Sequence, residues 1–231
     1  MRLLTYNIHG CVGMRLTSDP DATVAVIEEA DADVVALQEV HDDDERDMSF
    51  LRALEQLGYA NVIYGATMRN PRGHYGNVLM TRTPAHDIEH VDLGQSKREP
   101  RSAIRTRVEW NGIEVEIIAT HLGLGPRERE AQLELLLARC ESGDADPGRI
   151  RVFMGDLNEW NPWSRSSRLI RDHFGGAPHP PTFPSFLPLL RLDRIHVLPG
   201  SIPCRLEAMN SRNATLASDH LPLLALVRPG G

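Results

Sequence analysis

The sequence has few cysteines and no long apolar run. Its three cysteines, Cys11, Cys140 and Cys204, fit neither a metal-ligand spacing nor a disulfide framework, and their odd number is typical of a reducing compartment. No apolar stretch reaches the roughly 20 residues that a membrane-spanning helix needs. Leu3-Leu4 leads straight into Tyr6-Asn7, without the pattern of a signal peptide. We therefore expect a cytoplasmic protein without a stable membrane anchor.

Positive charge is also scarce. Lys and Arg total 25 against 32 Asp and Glu, so the formal net charge is −7. Proteins that grip long nucleic acids by their phosphates usually present a basic face, and the evident basic cluster here is confined to residues 97–107. The run Asp42-Asp43-Asp44-Glu45 would repel a polyanion, or it is simply a solvated loop. Charge therefore does not favour a nucleic-acid partner, and no protein partner is predicted.

Size and composition indicate an ordinary globular protein. The chain has 231 residues, of which 41% are hydrophobic and 25% charged, which is enough to bury a substantial core. No repeat, low-complexity tract or shift in composition marks a boundary. We expect one domain over residues 1–231.

Short polar clusters lie next to apolar runs at six places. Buried strands have this pattern, and the residue just past a strand end is where a sheet presents its chemistry. Side chains at such ends could converge on one divalent cation and one phosphate. The clusters are Thr5-Tyr6-Asn7, Leu37-Gln38-Glu39, Thr120-His121-Leu122, Gly155-Asp156-Leu157-Asn158, Leu192-Asp193-Arg194 and Ser218-Asp219-His220.

Helices and turns are interposed between the predicted strands. Asp19-Pro20 is a good helix start, and Pro126 opens a second helix. A short helix is expected near 163–173, and Asn111-Gly112 favours a tight hairpin. Strand pairs with helices between them predict a mixed α/β domain, in which two sheets face each other and helices lie outside. The predicted strands are 2–8, 34–37, 60–66, 76–82, 86–92, 103–110, 113–120, 150–154, 192–198 and 221–227.

Five of the clusters, in this order, resemble the signatures of the endonuclease/exonuclease/phosphatase superfamily. One such motif is weak evidence, whereas five in the family's order from Thr5 to Pro222 are specific. The resemblance implies a four-layer α/β sandwich, with two mixed β-sheets packed face to face and helices on both outer faces. It also implies a hydrolase of phosphate esters that uses Mg²⁺ or Mn²⁺.

Three residues are candidates for the metal side of this site. Glu39 is a hard oxygen ligand suited to Mg²⁺. Asn7 is neutral, so it can orient a phosphate oxygen or a water without adding repulsion. Asp219 resembles the family's second carboxylate on the metal side.

The resemblance assigns roles in proton transfer and phosphate binding to four further residues. Asp156 would orient or deprotonate the attacking water, and Asn158 would help to hold the phosphate. His220 would be the catalytic histidine, with Asp193 accepting its ring N–H. Because a carboxylate partner raises the basicity of an imidazole, His220 could act as a base or as a cation. Whether Asp156 or His220 removes the proton stays open.

His121 narrows the resemblance to the deoxyribonuclease and sphingomyelinase members. There a second histidine could protonate the leaving group, although a hydrogen-bonded structural histidine is the plain alternative. Asn77 resembles a position that lines the phosphate pocket. Arg98 and Arg101 are equal candidates for a phosphate contact, because the forked guanidinium suits that task.

Trp160 could stack a base, pack against a lipid or close a small pocket, or it could serve as a loop anchor, and the same holds for Trp163.

We expect a phosphodiesterase or phosphatase acting on a small or lipid-derived ester. The alternatives are a DNA endonuclease or exonuclease of the deoxyribonuclease or exonuclease III type, a catalytically inactive binding module on the same fold, and a peripheral membrane partner without chemistry.

Overall fold

The computed structural model of the chain describes residues 1–14, 16–42, 49–70, 73–95, 98–141 and 149–228. These residues form two β-sheets. In spatial order the first sheet contains β10 (Cys204–Ala208), β11 (Leu223–Val227), β1 (Arg2–Asn7), β2 (Val34–Asp42), β4 (Gly73–Thr81) and β3 (Asn61–Asn70). The second contains β5 (Ala85–Asp92), β6 (Ser102–Trp110), β7 (Ile113–His121), β8 (Ile150–Asp156) and β9 (Asp193–Leu198).

Both sheets are mixed. In the first sheet β1 and β2 are parallel, and in the second β7 and β8 are parallel, while the other neighbouring strands are antiparallel. The carboxyl end of β1 therefore lies beside Gln38 inside β2, and the carboxyl end of β7 lies beside that of β8. This pairing gathers four of the predicted polar strand ends into two adjacent pairs.

Helices cover the outer face of each sheet. The first sheet packs against α1 (Pro20–Ala30), α2 (Ser49–Gln56) and α5 (Arg212–Ala217). The second packs against α3 (Pro126–Glu141) and α4 (Arg165–Phe174). In the described part of the chain, none of these helices combines the length and the apolar character needed to cross a membrane.

Alternation along the strands produces the layers. Leu3 belongs to the apolar cluster between the sheets, whereas Leu4 packs under α1. In β8, Val152 lies between the sheets and Phe153 packs against the helices of the second sheet. Because successive side chains of a strand face opposite sides, a continuous apolar run fills two layers at once. The four-layer sandwich is thus confirmed.

Local signals account for several boundaries. The Asp19 side chain accepts a hydrogen bond from the Ala22 N–H at 3.0 Å, which caps α1. Asn111 and Gly112 have φ of 52° and 77°, as a two-residue type I′ hairpin requires between β6 and β7.

Other boundaries differ from the expectations. β2 continues past Leu37 to Asp42, and both β10 and α5 were not predicted. β10 is short and mostly exposed, so it lacks an apolar pattern, and α5 has only six residues. The remainder of the acidic run after Asp42 lies outside the described residues.

Candidate active site

Most of the predicted polar side chains meet in one cavity of about 430 Å³. It lies where the carboxyl ends of β1, β7 and β8 approach the start of β9. From the predictions it contains Asn7, Glu39, Arg101, His121, Asp156, Asn158, Trp160 and His220. Its other lining residues are Tyr75, Glu99, Leu124, Phe183, Leu190 and Leu192.

Glu39 reaches this cavity from an irregular point inside β2, not from a strand end. The register of β2 on β4 shifts between Leu37 and Val40, and Glu39 has a φ of 60°. Such a left-handed residue inside a bulge is strained for any residue with a side chain. Strain of this kind is common at functional sites.

The Asn7 amide holds two carboxylates together. Its Nδ2 donates to Glu39 Oε1 at 2.9 Å and to Asp156 Oδ2 at 3.0 Å. Burial raises the pKa of Glu39, and the nearby Asp156 charge adds to that rise. Two carboxylates on one amide, Asp156 buried and Glu39 half-buried, concentrate negative charge that a divalent cation would offset.

His220 is fixed by Asp193. Its Nδ1 lies 2.9 Å from Asp193 Oδ2, which also accepts a 2.5 Å hydrogen bond from the Thr182 hydroxyl. Burial alone would lower the pKa of His220, but the Asp193 charge and hydrogen bond, together with Asp156, raise it to about 10. The imidazole is therefore a cation at neutral pH.

The Ser218 hydroxyl ties the main chain at His220 to β1. The Ser218 hydroxyl donates to the Asn7 carbonyl at 2.7 Å and accepts from the His220 N–H at 3.2 Å. His220 thus enters the site from the segment between α5 and β11, not from a strand end.

The surroundings of His121, unlike those of His220, favour the neutral imidazole. Arg101 Nη1 lies 2.9 Å from His121 Nδ1, and since a guanidinium only donates, we assign Nδ1 as the acceptor and Nε2 as the protonated nitrogen. Burial, with the Arg101 and His220 charges adding to it and the Asp156 charge opposing it, lowers the pKa of His121 to about 3. Its Nε2 lies 3.6 Å from Asp156 Oδ2.

A tight loop after β8 places Asn158. The Asn158 N–H donates to Asp156 Oδ1 at 2.9 Å, and Asn158 has a φ of 50°, which asparagine tolerates. Its Nδ2 donates to the Leu122 carbonyl at 2.9 Å and lies 3.0 Å from His121 Nε2, a contact between two donors when Nε2 carries the proton. Asp156 and Asn158 therefore face one cavity.

Five predicted residues do not line the cavity, namely Asp193, which contacts His220 from behind, and the four that follow. The Asp219 side chain is 39% exposed, with Oδ1 3.7 Å from His9 Nδ1. Asn77 is buried, and its amide donates to the Ser102 carbonyl at 3.2 Å. Arg98 is exposed, and Trp163 is 85% exposed. Their proposed roles stay predictions.

Sequence reasoning assigned no contact in the site to Thr182, Phe183 or Tyr75. Thr182 and Phe183 follow two prolines, a context that signals a loop without revealing its contacts. The Phe183 ring lies 4.9 Å from the His220 ring, and Tyr75 lines the same cavity as Arg101.

One acidic cluster competes with Glu39 as a metal site. Single ligand atoms of Asp156, Asp193 and His220 lie within 4.8 Å of one another. However, Asp193 Oδ2 already accepts hydrogen bonds from His220 and Thr182. A cation there would break the pair that orients His220, so the Glu39 side fits a cation better.

The model of the Endonuclease/Exonuclease/phosphatase family matches residues 4–227. The chain belongs to this family. Members of the endonuclease/exonuclease/phosphatase family are typically hydrolases that act on phosphate esters. The "Uncharacterized protein YbhP" of Escherichia coli (strain K12) is 30% identical over an aligned length of 243 residues. The alignment covers 97% of this chain and 94% of that protein.

Solved structures of the family share the fold. An endonuclease/exonuclease/phosphatase from Beutenbergia cavernae has a TM-score of 0.78 at 24% identity, covering 100% of this chain and 72% of the other. A mannosyl-6-phosphatase of Bacteroides thetaiotaomicron has a TM-score of 0.77 at 16% identity, with 99% of each chain covered. Truncated TDP2 of Caenorhabditis elegans has a TM-score of 0.71 at 19% identity, with 98% and 96% covered.

Proposed function

We propose that the protein is a divalent-metal-dependent hydrolase of phosphate esters whose substrate is a small or lipid-derived phosphodiester. The observation that carries this proposal is the Asn7 amide, which joins Glu39 and Asp156 in one cavity. The same cavity contains a cationic His220 and a neutral His121. Together they offer an anionic side for a cation and donors for a phosphate.

The metal would be Mg²⁺ or Mn²⁺, held by Glu39, with Asn7 and Asp219 as further candidates. Carboxylate and amide oxygens are the ligands that these cations prefer. When bound, the ion would supply charge neutralisation for the phosphoryl oxygens.

Asp156 is the better candidate for the base. The charges of Asp193 and Asp156 raise the pKa of His220 to about 10, which favours a protonated imidazole that stabilises negative charge on a phosphate over one that accepts a proton. Asp156 Oδ2 lies 3.9 Å from His220 Nε2 and 3.6 Å from His121 Nε2, at the centre of the cavity. A water between these groups would give its proton to Asp156 as it attacks phosphorus.

His121 would assist the leaving oxygen. With Nδ1 bound by Arg101, its Nε2 proton is the one available to a substrate. Because burial keeps the ring from gaining a second proton, His121 can donate a hydrogen bond without attracting the phosphate ionically. Asn158 and Arg101 would hold the remaining phosphate oxygens.

Apolar walls favour an amphiphilic or compact ester. Leu124, Trp160 and Phe183 line the cavity, and Trp160 is 63% exposed at its edge. The loop between Phe183 and Leu190 also exposes three large apolar side chains, those of Phe186, Leu187 and Leu189. One similar structure is named a mannosyl-6-phosphatase, which is consistent with a small phosphate ester.

A nuclease is the second candidate. The exposed Trp160 ring next to Arg101 could stack a base beside a bound phosphate. The net charge of −7 speaks against a duplex substrate. Plasmid nicking at low enzyme concentration that outpaces every small phosphodiester would favour the nuclease.

The test combines a substrate panel with one variant. We expect Mg²⁺ to support hydrolysis of a chromogenic or short-chain lipid phosphodiester, and a chelator to abolish it. His220→Ala should lower kcat by about 10³-fold, because it removes a charge that stabilises the transition state. His86→Ala, which changes an exposed histidine, is the matched control. Equal activity of His220→Ala and His86→Ala would mean that the activity is incidental or a contaminant's, and would overturn the proposal.

A further inference from the structure

A second cavity, of about 280 Å³, lies beside β9 at the edge of the second sheet. It shares no lining residue with the candidate active site. Three arginines line it, Arg171 of α4 together with Arg191 and Arg194, and we call it the arginine cavity. His179 and His196 also line it.

The positive charge of the arginine cavity is uncompensated. Among the described residues, no carboxylate lines it and none forms an ion pair with these three arginines. Each guanidinium instead donates to a main-chain carbonyl. The contacts are Arg171 Nη1 to Pro162 at 3.5 Å, Arg191 Nε to His179 at 2.7 Å and Arg194 Nη2 to Glu159 at 3.5 Å.

Of the three arginines, Arg194 is the one whose charged form is most disfavoured by its surroundings. Burial, together with the adjacent Arg191 charge, lowers the pKa of Arg194 to about 10. Arg194 is half-buried, and a partly desolvated charge without an ion-pair partner is unfavourable. An anion in the cavity would remove that penalty, and the forked donors of arginine suit phosphate oxygens.

His196 lines the cavity, and its Nε2 is a buried atom without a hydrogen-bond partner among the described residues. The residue is 5% exposed. Burial holds the pKa of His196 well below its ordinary value, and the neighbouring His179 and Arg194 lower it further. A neutral buried imidazole with an unused nitrogen needs a partner that the protein does not supply.

Nearby negative groups do not neutralise the cavity. Asp193 and Glu159 attract Arg194 electrostatically, but Asp193 is bound to His220, and Glu159 to Arg129 at 3.2 Å. The carboxyl end of α4 also lies here, and its dipole is equivalent to only about half a negative charge. Three guanidiniums exceed that contribution.

We propose that the arginine cavity is a binding site for a phosphate dianion, separate from the active site. Its volume is below the roughly 300–1,000 Å³ of pockets for drug-sized ligands, so it suits inorganic phosphate or a small phosphate monoester. The proposal is independent of the catalytic function, because no residue is shared with the active-site cavity.

Calorimetric titration with inorganic phosphate, in a chelator and at low salt, tests this site. Arg171→Gln and Arg191→Gln alter exposed side chains and should leave the fold intact. We expect each to weaken phosphate binding at least about 10-fold, because each removes a charged donor. Arg168→Gln, an exposed arginine of α4 that does not line the cavity, should change the affinity by less than about twofold.

Three results would overturn the proposal. One is the absence of saturable phosphate binding by the unmodified protein. Another is equal weakening by Arg168→Gln, which would show a general charge effect. The third is binding that is lost in Arg101→Gln and retained in Arg171→Gln and Arg191→Gln, because phosphate would then occupy the active site alone. A parallel titration with glycerol 3-phosphate shows whether a monoester binds in the same arginine-dependent way.

Discussion

Asn7 is the residue on which the geometry of the site depends most. One amide nitrogen fixes the separation of Glu39 and Asp156, which come from different sheets. The same residue is tied through its carbonyl to Ser218, and so to the segment that carries His220. Asn7 therefore sets the geometry of both sides of the site: its side chain positions Glu39 and Asp156, and its carbonyl positions the segment that carries His220.

Asp193 acts on catalysis through His220. Asp193→Asn should lower kcat by about 10²–10⁴-fold, because the amide cannot stabilise the imidazolium or fix its tautomer. KM and metal affinity should change little, since Asp193 does not line the cavity. Steady-state kinetics over a pH series measure both effects.

The matched control is Asp87→Asn, which alters an exposed carboxylate paired with Arg107. If the Asp193→Asn variant keeps most of its activity and an unchanged pH profile, Asp193 has only a structural role.

Among the elements, the parallel pair β7 and β8 positions the site most directly. Gly155 on β8 has a φ of 146°, and a Cβ there would lie 1.8 Å from the Thr120 carbonyl oxygen. The strand next to Asp156 can approach β7 this closely only with glycine.

Gly155→Ala should therefore destabilise the protein by at least about 3 kcal/mol, through the backbone clash and the unfavourable φ. Gly112→Ala also has a positive φ but open space, so it should cost only about 1 kcal/mol. Urea unfolding of both variants gives the comparison. Equal costs would mean that the β7–β8 contact is not the constraint.

The strands of the sandwich were predictable because their apolar runs alternate between two buried layers. β10 and α5 were not, since a short exposed strand and a six-residue helix carry little periodicity. The site residues at strand ends followed from the family's motif order. The bulge at Glu39 and the Thr182 contact to Asp193 depend on register and loop packing, which no local pattern specifies. That Arg101 lines the cavity and Arg98 does not likewise depends on packing.

For the whole molecule, buried neutral histidines predict acid sensitivity. Burial lowers the pKa of His179 from 6.5 to about 4, with the nearby Arg194 adding to the shift. Between these values the unfolded chain binds a proton that the folded protein does not. Stability should therefore fall as the pH drops from 6.5 to about 4, by on the order of 3 kcal/mol from this group.

Thermal unfolding from pH 7 to pH 4 measures this loss. His179→Gln should flatten the pH dependence, whereas His86→Gln, at an exposed site, should not. An unfolding midpoint that falls equally in both variants would assign the acid sensitivity to other groups.

The most direct test of the account is the location of a bound Mn²⁺ by anomalous diffraction from a crystal of the protein. We predict a single strong peak in contact with the Glu39 carboxylate, inside the cavity that contains Asp156 and His220. A peak between Asp193 and His220, or no peak at Glu39 in a crystal of active enzyme, would contradict it.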